Sequence, residues 1–359
     1  MSGKIKRVFP GGNTSEGFVS YYDYIIEKDA NRIFVIKGGP GTGKSSMMKK
    51  IGKEMLDRGY DVEYHHCSSD NNSIDGIVIP KLKVAMIDGT APHIVDPKNP
   101  GAVDEIIHLG DYWNLEKMEE NKDPIIYYTE KNSKFYKRAY KYLAAARFIQ
   151  EDLSWKVKQC VEKGQINVEI YSLIDEIFEN IWINPVVGKG RHLFGSAYSP
   201  SGWIEYTDTL LYGLDKVYRI TGEIGTGKSH LLKKISDEAL VRGLDVEIYH
   251  TPLIPDDIET VIIKDLNTAL TISKMAEKFN CKQVDLNQYI NKDELQKNER
   301  EIEEDKRVFD NLVQIAVNDF AAAKKNHDGI EQYYVPNMDF DAIEEVRKEI
   351  IERILSYKS

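Results

Sequence analysis

The chain has 359 residues, 42% apolar and 30% charged, with a formal net charge of −10. That length exceeds one ordinary core and suits two, while the acidic balance argues against broad attraction to nucleic acid or anionic membrane. No apolar run approaches the roughly 18 residues of a membrane span, the opening MSGKIKRVFPGG lacks a signal-peptide stretch, and Cys67, Cys160 and Cys281 form no CxxC pair. A cytoplasmic protein with reduced thiols and no membrane contact is therefore expected.

In chain order, the first strong element is Ile33-Phe34-Val35-Ile36, a continuous β-forming run like a strand buried on both faces. Gly38-Gly39-Pro40-Gly41-Thr42-Gly43-Lys44-Ser45 follows at once and satisfies G-x-x-x-x-G-K-[ST], the Walker A pattern. Glycines at this spacing let successive backbone N–H groups turn inward around phosphate, and a helix N-terminus adds positive potential. Lys44 is assigned to the β/γ oxygens and Ser45 to Mg²⁺, with Ser46 completing the binding stretch. Met47, Met48, Ile51, Met55 and Leu56 then form one apolar helix face, which ends at Arg58-Gly59.

Val84-Ala85-Met86-Ile87-Asp88 reads as a short strand ending in a carboxylate, the Walker B candidate for catalysis and metal contact. His65, Asp70, His93 and Asp96 are further polar candidates near strand ends, where α/β sheets bind ligands. Beyond them, Lys131, Lys134, Arg138 and Lys141 interleave with Phe135, Tyr136 and Tyr140 at helical spacing, read as a solvated basic face.

The chain also repeats itself. Asn31 to Val62 aligns without a gap to Asp215 to Val246 at an offset of 184; upstream landmarks pair at 185, as Phe9 with Phe194 and Phe18 with Trp203, and downstream ones at 177, as Tyr112 with Tyr289. Val217-Tyr218-Arg219-Ile220 thus precedes a second loop, Gly222-Glu223-Ile224-Gly225-Thr226-Gly227-Lys228-Ser229, followed by His230 and a helix carrying Leu231, Leu232, Ile235, Ala239 and Leu240. Ser229 is its metal candidate. The boundary falls near 185, in Asn184-Pro185 and the glycine-bearing VVGKGRHLFGS. The expected fold is α/β: domains 1–185 and 186–359, each a mainly parallel sheet flanked by helices, with a helical C-terminal region.

The copies diverge at the carboxylate. The partner of Asp88 is Ile272, so domain 1 is read as catalytic and domain 2 as nucleotide-binding with weak or no turnover. His66 and His250 are positional partners that could face a γ-phosphate, although a structural role is the preferred reading. Arg191, in the stretch read as a linker, is read as an exposed arginine, with an arginine finger as the alternative.

The two Walker A sequences resemble the P-loop NTPase superfamily. The whole chain, including VFPGGNTSEGF and DGTAPH, is similar to bacterial tandem P-loop proteins catalogued as ATPases or nucleotide kinases. The resemblance implies a three-layer α/β fold, ATP and Mg²⁺. Gly89 follows Asp88 where many motor ATPases carry a water-activating Glu, which implies slow hydrolysis. LSGGQ is absent, and neither Asn121-Lys122-Asp123-Pro124 nor Asn291-Lys292-Asp293-Glu294 completes N-K-x-D, so guanine specificity is disfavoured. The leading expectation is a slow ATPase or ATP-driven switch. Alternatives are a kinase whose helical region after Asp88 closes over an unknown small-molecule acceptor, and a non-hydrolysing scaffold for a protein or nucleic-acid partner, with the stripe from Lys131 to Lys141 as its contact surface.

Overall fold

The computed structural model describes residues 2–91 and 94–357. Short β-forming runs open each half of the chain and amphipathic helices close it. The first half runs β1 (Ile5–Val8), β2 (Gly11–Thr14), β3 (Gly17–Ser20), β4 (Arg32–Lys37), α1 (Lys44–Asp57), β5 (Val62–His66), β6 (Ile74–Ile79), β7 (Val84–Asp88) and β8 (Asp104–His108). It closes with α2 (Leu115–Glu120), α3 (Lys122–Gln159) and α4 (Lys163–Ile177). The second half repeats the order: β9 (Gly190–Phe194), β10 (Ser196–Ser199), β11 (Gly202–Glu205), α5 (Thr207–Leu211), β12 (Lys216–Thr221), α6 (Lys228–Val241), β13 (Val246–His250), β14 (Ile258–Ile263), β15 (Thr268–Thr271) and β16 (Lys282–Asp285). It closes with α7 (Lys292–Gln296), α8 (Glu299–Tyr334) and α9 (Phe340–Ser356).

Two six-stranded sheets result, ordered β1-β5-β6-β7-β4-β8 and β9-β13-β14-β15-β12-β16, the same topology twice. Only β6 and β14 run antiparallel to their neighbours, so each sheet is mixed and mainly parallel. Alternation along the strands splits each core in two. On one face Ile77, Ile79, Val84 and Met86 pack beneath α1, and on the other Val78, Ala85 and Ile87 meet no long helix but Tyr22 and Ile25 from short turns, with Phe18, Ile26 and Val95 beside them. The implied third helical layer is thus reduced: α5 and a turn bearing Ala276 serve that purpose on the second sheet.

Beside α1 and α6, a second helix on each sheet comes from the other half of the chain. Ile343, Ile350, Ile351 and Ile354 of α9 join the core of the first sheet, and Ile166, Ile170, Leu173 and Ile174 of α4 join that of the second. A cut near 185 separates the sequence copies, but it does not separate the cores. The crossing is made by α3 and α8, long helices (38 and 36 residues) that run antiparallel. Arg138 meets Asp319 at 2.6 Å and Asn326 donates to the Tyr128 carbonyl at 2.7 Å. Ala139, Leu143, Ala146, Ala316 and Phe320 fill the seam between them. Mirrored backbone bonds pin the ends: Asp339 N–H to Tyr112 O (2.8 Å) on one side and Glu162 N–H to Tyr289 O (2.9 Å) on the other.

The sheets meet at their edge strands, where Phe9 and Phe194 exchange both backbone hydrogen bonds (2.9 and 3.0 Å). The stretch read as a linker therefore contains an edge strand, β9. Arg191 within it is neither exposed nor aimed at a glycine loop. Its guanidinium donates to Glu63 at 3.0 Å and to Glu247 at 3.3 Å, and Lys6 lies 2.7 Å from Glu247 and 3.3 Å from Glu63. Burial pushes both carboxyls up, but the surrounding cations outweigh it and hold both below the usual range.

Two outcomes follow from this packing. Ile354→Ala should cost about 2–5 kcal/mol, and native-state hydrogen exchange should show protection lost in β4 and α1 of the first sheet before β12 and α6. Arg191→Ala leaves buried carboxylates short of a partner and should cost roughly 3–5 kcal/mol in urea unfolding. Because the folded pKa values of Glu63 and Glu247 are depressed, the network's contribution is present above the ordinary value of 4.5 and fades as pH falls toward the folded values.

Candidate functional site

Each glycine loop joins a central parallel strand to a 14-residue helix. In the first loop, Gly41 and Gly43 take φ of 69° and 88°, a region that disfavours side chains, and in the second Gly225 and Gly227 take 92° and 94°. The buried Thr42 and Thr226 brace the turns by donating to Gly39 O and Glu223 O, each at 2.8 Å. Lys44 Nζ donates to Gly38 O and Gly39 O (2.8 Å each), and Lys228 Nζ likewise to Gly222 O and Glu223 O. The serine hydroxyls also match: Ser45 accepts from Ile74 N–H at 3.1 Å and Ser229 from Ile258 N–H at 2.9 Å. Both loops thus hold an ammonium against their own carbonyls at the positive end of a helix dipole.

The surroundings differ. Asp88 ends β7 opposite Ile36 of β4, and its Oδ2 lies 3.7 Å from Lys44 Nζ. Burial pushes its carboxyl up, Lys44 pulls it down, and Thr90 N–H donates to it at 2.9 Å. At the second loop the place after the end of β15 is Ile272, and no carboxylate comes from that strand. One comes instead from the start of β14, where Asp257 shares a hydrogen bond with Ser229. Burial lowers Lys228 to about 8.

Each loop is roofed by the other half of the chain. A Cβ added at Gly39 would lie 2.6 Å from the Tyr334 ring, one at Gly41 2.8 Å from Val335, and one at Gly225 2.4 Å from the Ser154 carbonyl oxygen. The helical region after Asp88 therefore closes over the second loop rather than its own. Between that region and the second loop lies a cavity of about 1140 Å³, lined by Ile224 through His230, by Ser154, Lys158 and Lys163, and by Trp203, Asp257 and Glu259.

Other candidates lie elsewhere. His66 bonds Arg7 (3.1 Å) and packs on Tyr206, while His250 bonds His192 (2.8 Å) and stacks on Tyr21, so both belong to the contact between the halves. Burial keeps them neutral, at about 3 and about 4. His65 is buried against Glu63 at 2.8 Å. Asp70 orders the turn before β6, and Asp96 pairs with Lys37 on the surface. His93 lies outside the described residues. The basic stripe is exposed only in its cations, since Tyr136 and Tyr140 pack against Phe320 in the α3–α8 seam.

Glu259 and Asp75 were not singled out from the sequence, yet both are fully buried acids in apolar strands. Burial pushes them up to about 8 and about 6. They are partners at the 184 offset, one in IDGIVI and the other in IETVII, and that shared acid was the available signal. Glu259 accepts from Ser196 and Thr207.

Comparison with protein-family models, curated proteins and solved structures finds no match.

Because the folded pKa of Glu259 lies above its ordinary 4.5, stability should decline as pH rises between about 4.5 and 8. Glu259→Gln should flatten that part of the pH–stability curve, read from thermal unfolding across the range. An unchanged slope would place the titration elsewhere.

Proposed function

We propose that the chain is a P-loop protein that binds ATP with Mg²⁺ at its first loop, hydrolyses it slowly there, and binds a second nucleotide at loop 2. The observation carrying this reading is the Lys44 ammonium held by the Gly38 and Gly39 carbonyls at the start of α1, 3.7 Å from the Asp88 carboxylate. Backbone N–H groups of such a glycine loop and a fixed ammonium would hold β- and γ-phosphate oxygens in place before reaction.

Ser45 and Asp88 offer hydroxyl and carboxylate oxygen, the hard donors Mg²⁺ prefers. Among the described residues no group of three or more His, Cys, Asp or Glu could hold a metal, so the remaining ligands would come from phosphate and water. There the ion would neutralise charge on the phosphates. The chain's own part is positioning: Lys44 neutralises phosphate charge, Thr90 orients Asp88, and Tyr334 and Val335 stand over loop 1. Because each roof belongs to the opposite half, nucleotide contacts at a loop would bear on how the arms pack, which supports a switch.

A kinase is the second reading. The cavity at loop 2, about 1140 Å³, exceeds the roughly 300–1,000 Å³ of usual ligand pockets and has room for an acceptor beside a nucleotide.

Lys44→Ala should abolish phosphate release from Mg·ATP, and Lys228→Ala should leave a substantial fraction. Equal losses in the two variants would refute the assignment of turnover to loop 1, and phosphate transfer appearing only with an added metabolite would favour the kinase.

A further inference from the structure

The two loops face different chemistry from the opposite arm. Over loop 1 the arm presents Val335 and Phe340, with the acidic Glu331 beside them. At the corresponding places over loop 2, 177 positions earlier, it presents Lys158 and Lys163. Neither lysine makes an ion pair among the described residues, although both lie on an acidic chain where carboxylates are plentiful. With Lys228 and Lys274 they give the cavity four ammonium groups. Its acids are Glu151, Glu205, Asp257 and Glu259, of which Glu259 is buried and bonded to Ser196 and Thr207. Burial keeps Glu259 protonated at neutral pH, with its value pushed up to about 8.

The cavity thus carries positive charge on its roof and at its loop, and the position that offers Asp88 at loop 1 is the apolar Ile272. Ammonium groups are effective point-charge partners for phosphate. Taking the glycine loops as triphosphate-binding, as proposed above, we infer that loop 2 and the arm over it form a polyphosphate site that needs no divalent metal. In it Lys158 and Lys163, from the first half of the chain, supply the counter-charge. The site takes a nucleoside triphosphate bound through its phosphates, and its occupancy ties the first half's arm to the second half's loop.

The test uses full-length protein and isothermal titration with ATP, in Mg²⁺ and in excess EDTA. The Lys44→Ala chain, which keeps loop 2, should bind ATP in EDTA within about threefold of its affinity in Mg²⁺, and inorganic triphosphate should compete. Adding Lys158→Ala and Lys163→Ala should weaken that binding by about tenfold or more per lysine with the thermal midpoint unchanged, and Lys158→Arg with Lys163→Arg should restore most of it. The Lys228→Ala chain should bind only in Mg²⁺.

A loss of more than about tenfold on chelation in the Lys44→Ala chain, abolished further by Asp257→Asn, would show a metal held by Ser229 and Asp257 and overturn the inference. So would alanine variants that bind as the parent does. If the unaltered chain takes up no ATP under either condition, the triphosphate reading of both loops falls as well.

Discussion

The structure rests on two apolar helix faces, each buried on the sheet of the opposite half of the chain. The isoleucine face of α4 lies on the second sheet and that of α9 on the first. Burying such faces contributes about 25 cal/mol per Å² of apolar area, so each sheet loses part of its core if the exchange is undone. The long antiparallel pair α3 and α8 follows from this constraint, because each chain segment must travel past the opposite loop before its terminal helix can dock. The roofs over the glycine loops are a geometric result of that route. The same constraint explains the pseudo-twofold pairing of local contacts, from the mutual backbone bonds of Phe9 and Phe194 to the mirrored bonds at Tyr112 and Tyr289.

Symmetry of scaffold has not preserved symmetry of chemistry. Where β7 ends in Asp88, β15 is followed by Ile272, and where one arm carries Val335 and Phe340 the other carries Lys158 and Lys163. The aromatic that opens each half differs in the same way. Phe18 packs onto the cluster of Val78, Ala85 and Ile87, whereas Trp203 lines the cavity beside Tyr198. The first loop therefore sits with a carboxylate beneath Tyr334, Val335 and Phe340, with Glu331 alongside, and the second faces a large cavity lined by four lysines.

Local order was legible in the sequence and long-range pairing was not. The strand at Ile33–Ile36, the helix face from Met47 to Leu56 and the strand ending in Asp88 were readable because periodicity and glycine chemistry act over a few residues. The offset of 184 gave the repeated topology for the same reason. Nothing local distinguishes a helix that folds back on its own sheet from one that crosses to its twin, since the apolar face of α9 is the same in either case. Arg191 was misplaced for a related reason: Gly188 and Gly190 look like a linker, while the carboxylates that bury the arginine, Glu63 and Glu247, are far away in sequence. The burial of Tyr136 and Tyr140 likewise depends on Phe320, which only the crossing brings near.

The exchanged arms also set what communication between the loops requires. A ligand that touches only a glycine loop gains nothing from either arrangement of the arm above it and cannot bias that arm. One that touches loop and arm together gains contacts only while the arm is docked, and so stabilises the docked state in proportion to that difference. Since the arm over loop 2 continues from the first half's sheet and the arm over loop 1 from the second's, such stabilisation at either loop acts on both halves. Thermodynamic linkage makes any coupling in affinity reciprocal. In the proposed site Lys158 and Lys163 would let a polyphosphate at loop 2 meet loop and arm at once, whereas the arm residues nearest Gly41 and Gly43 of loop 1, Val335, Glu331 and Phe340, bring no cation to phosphate oxygens.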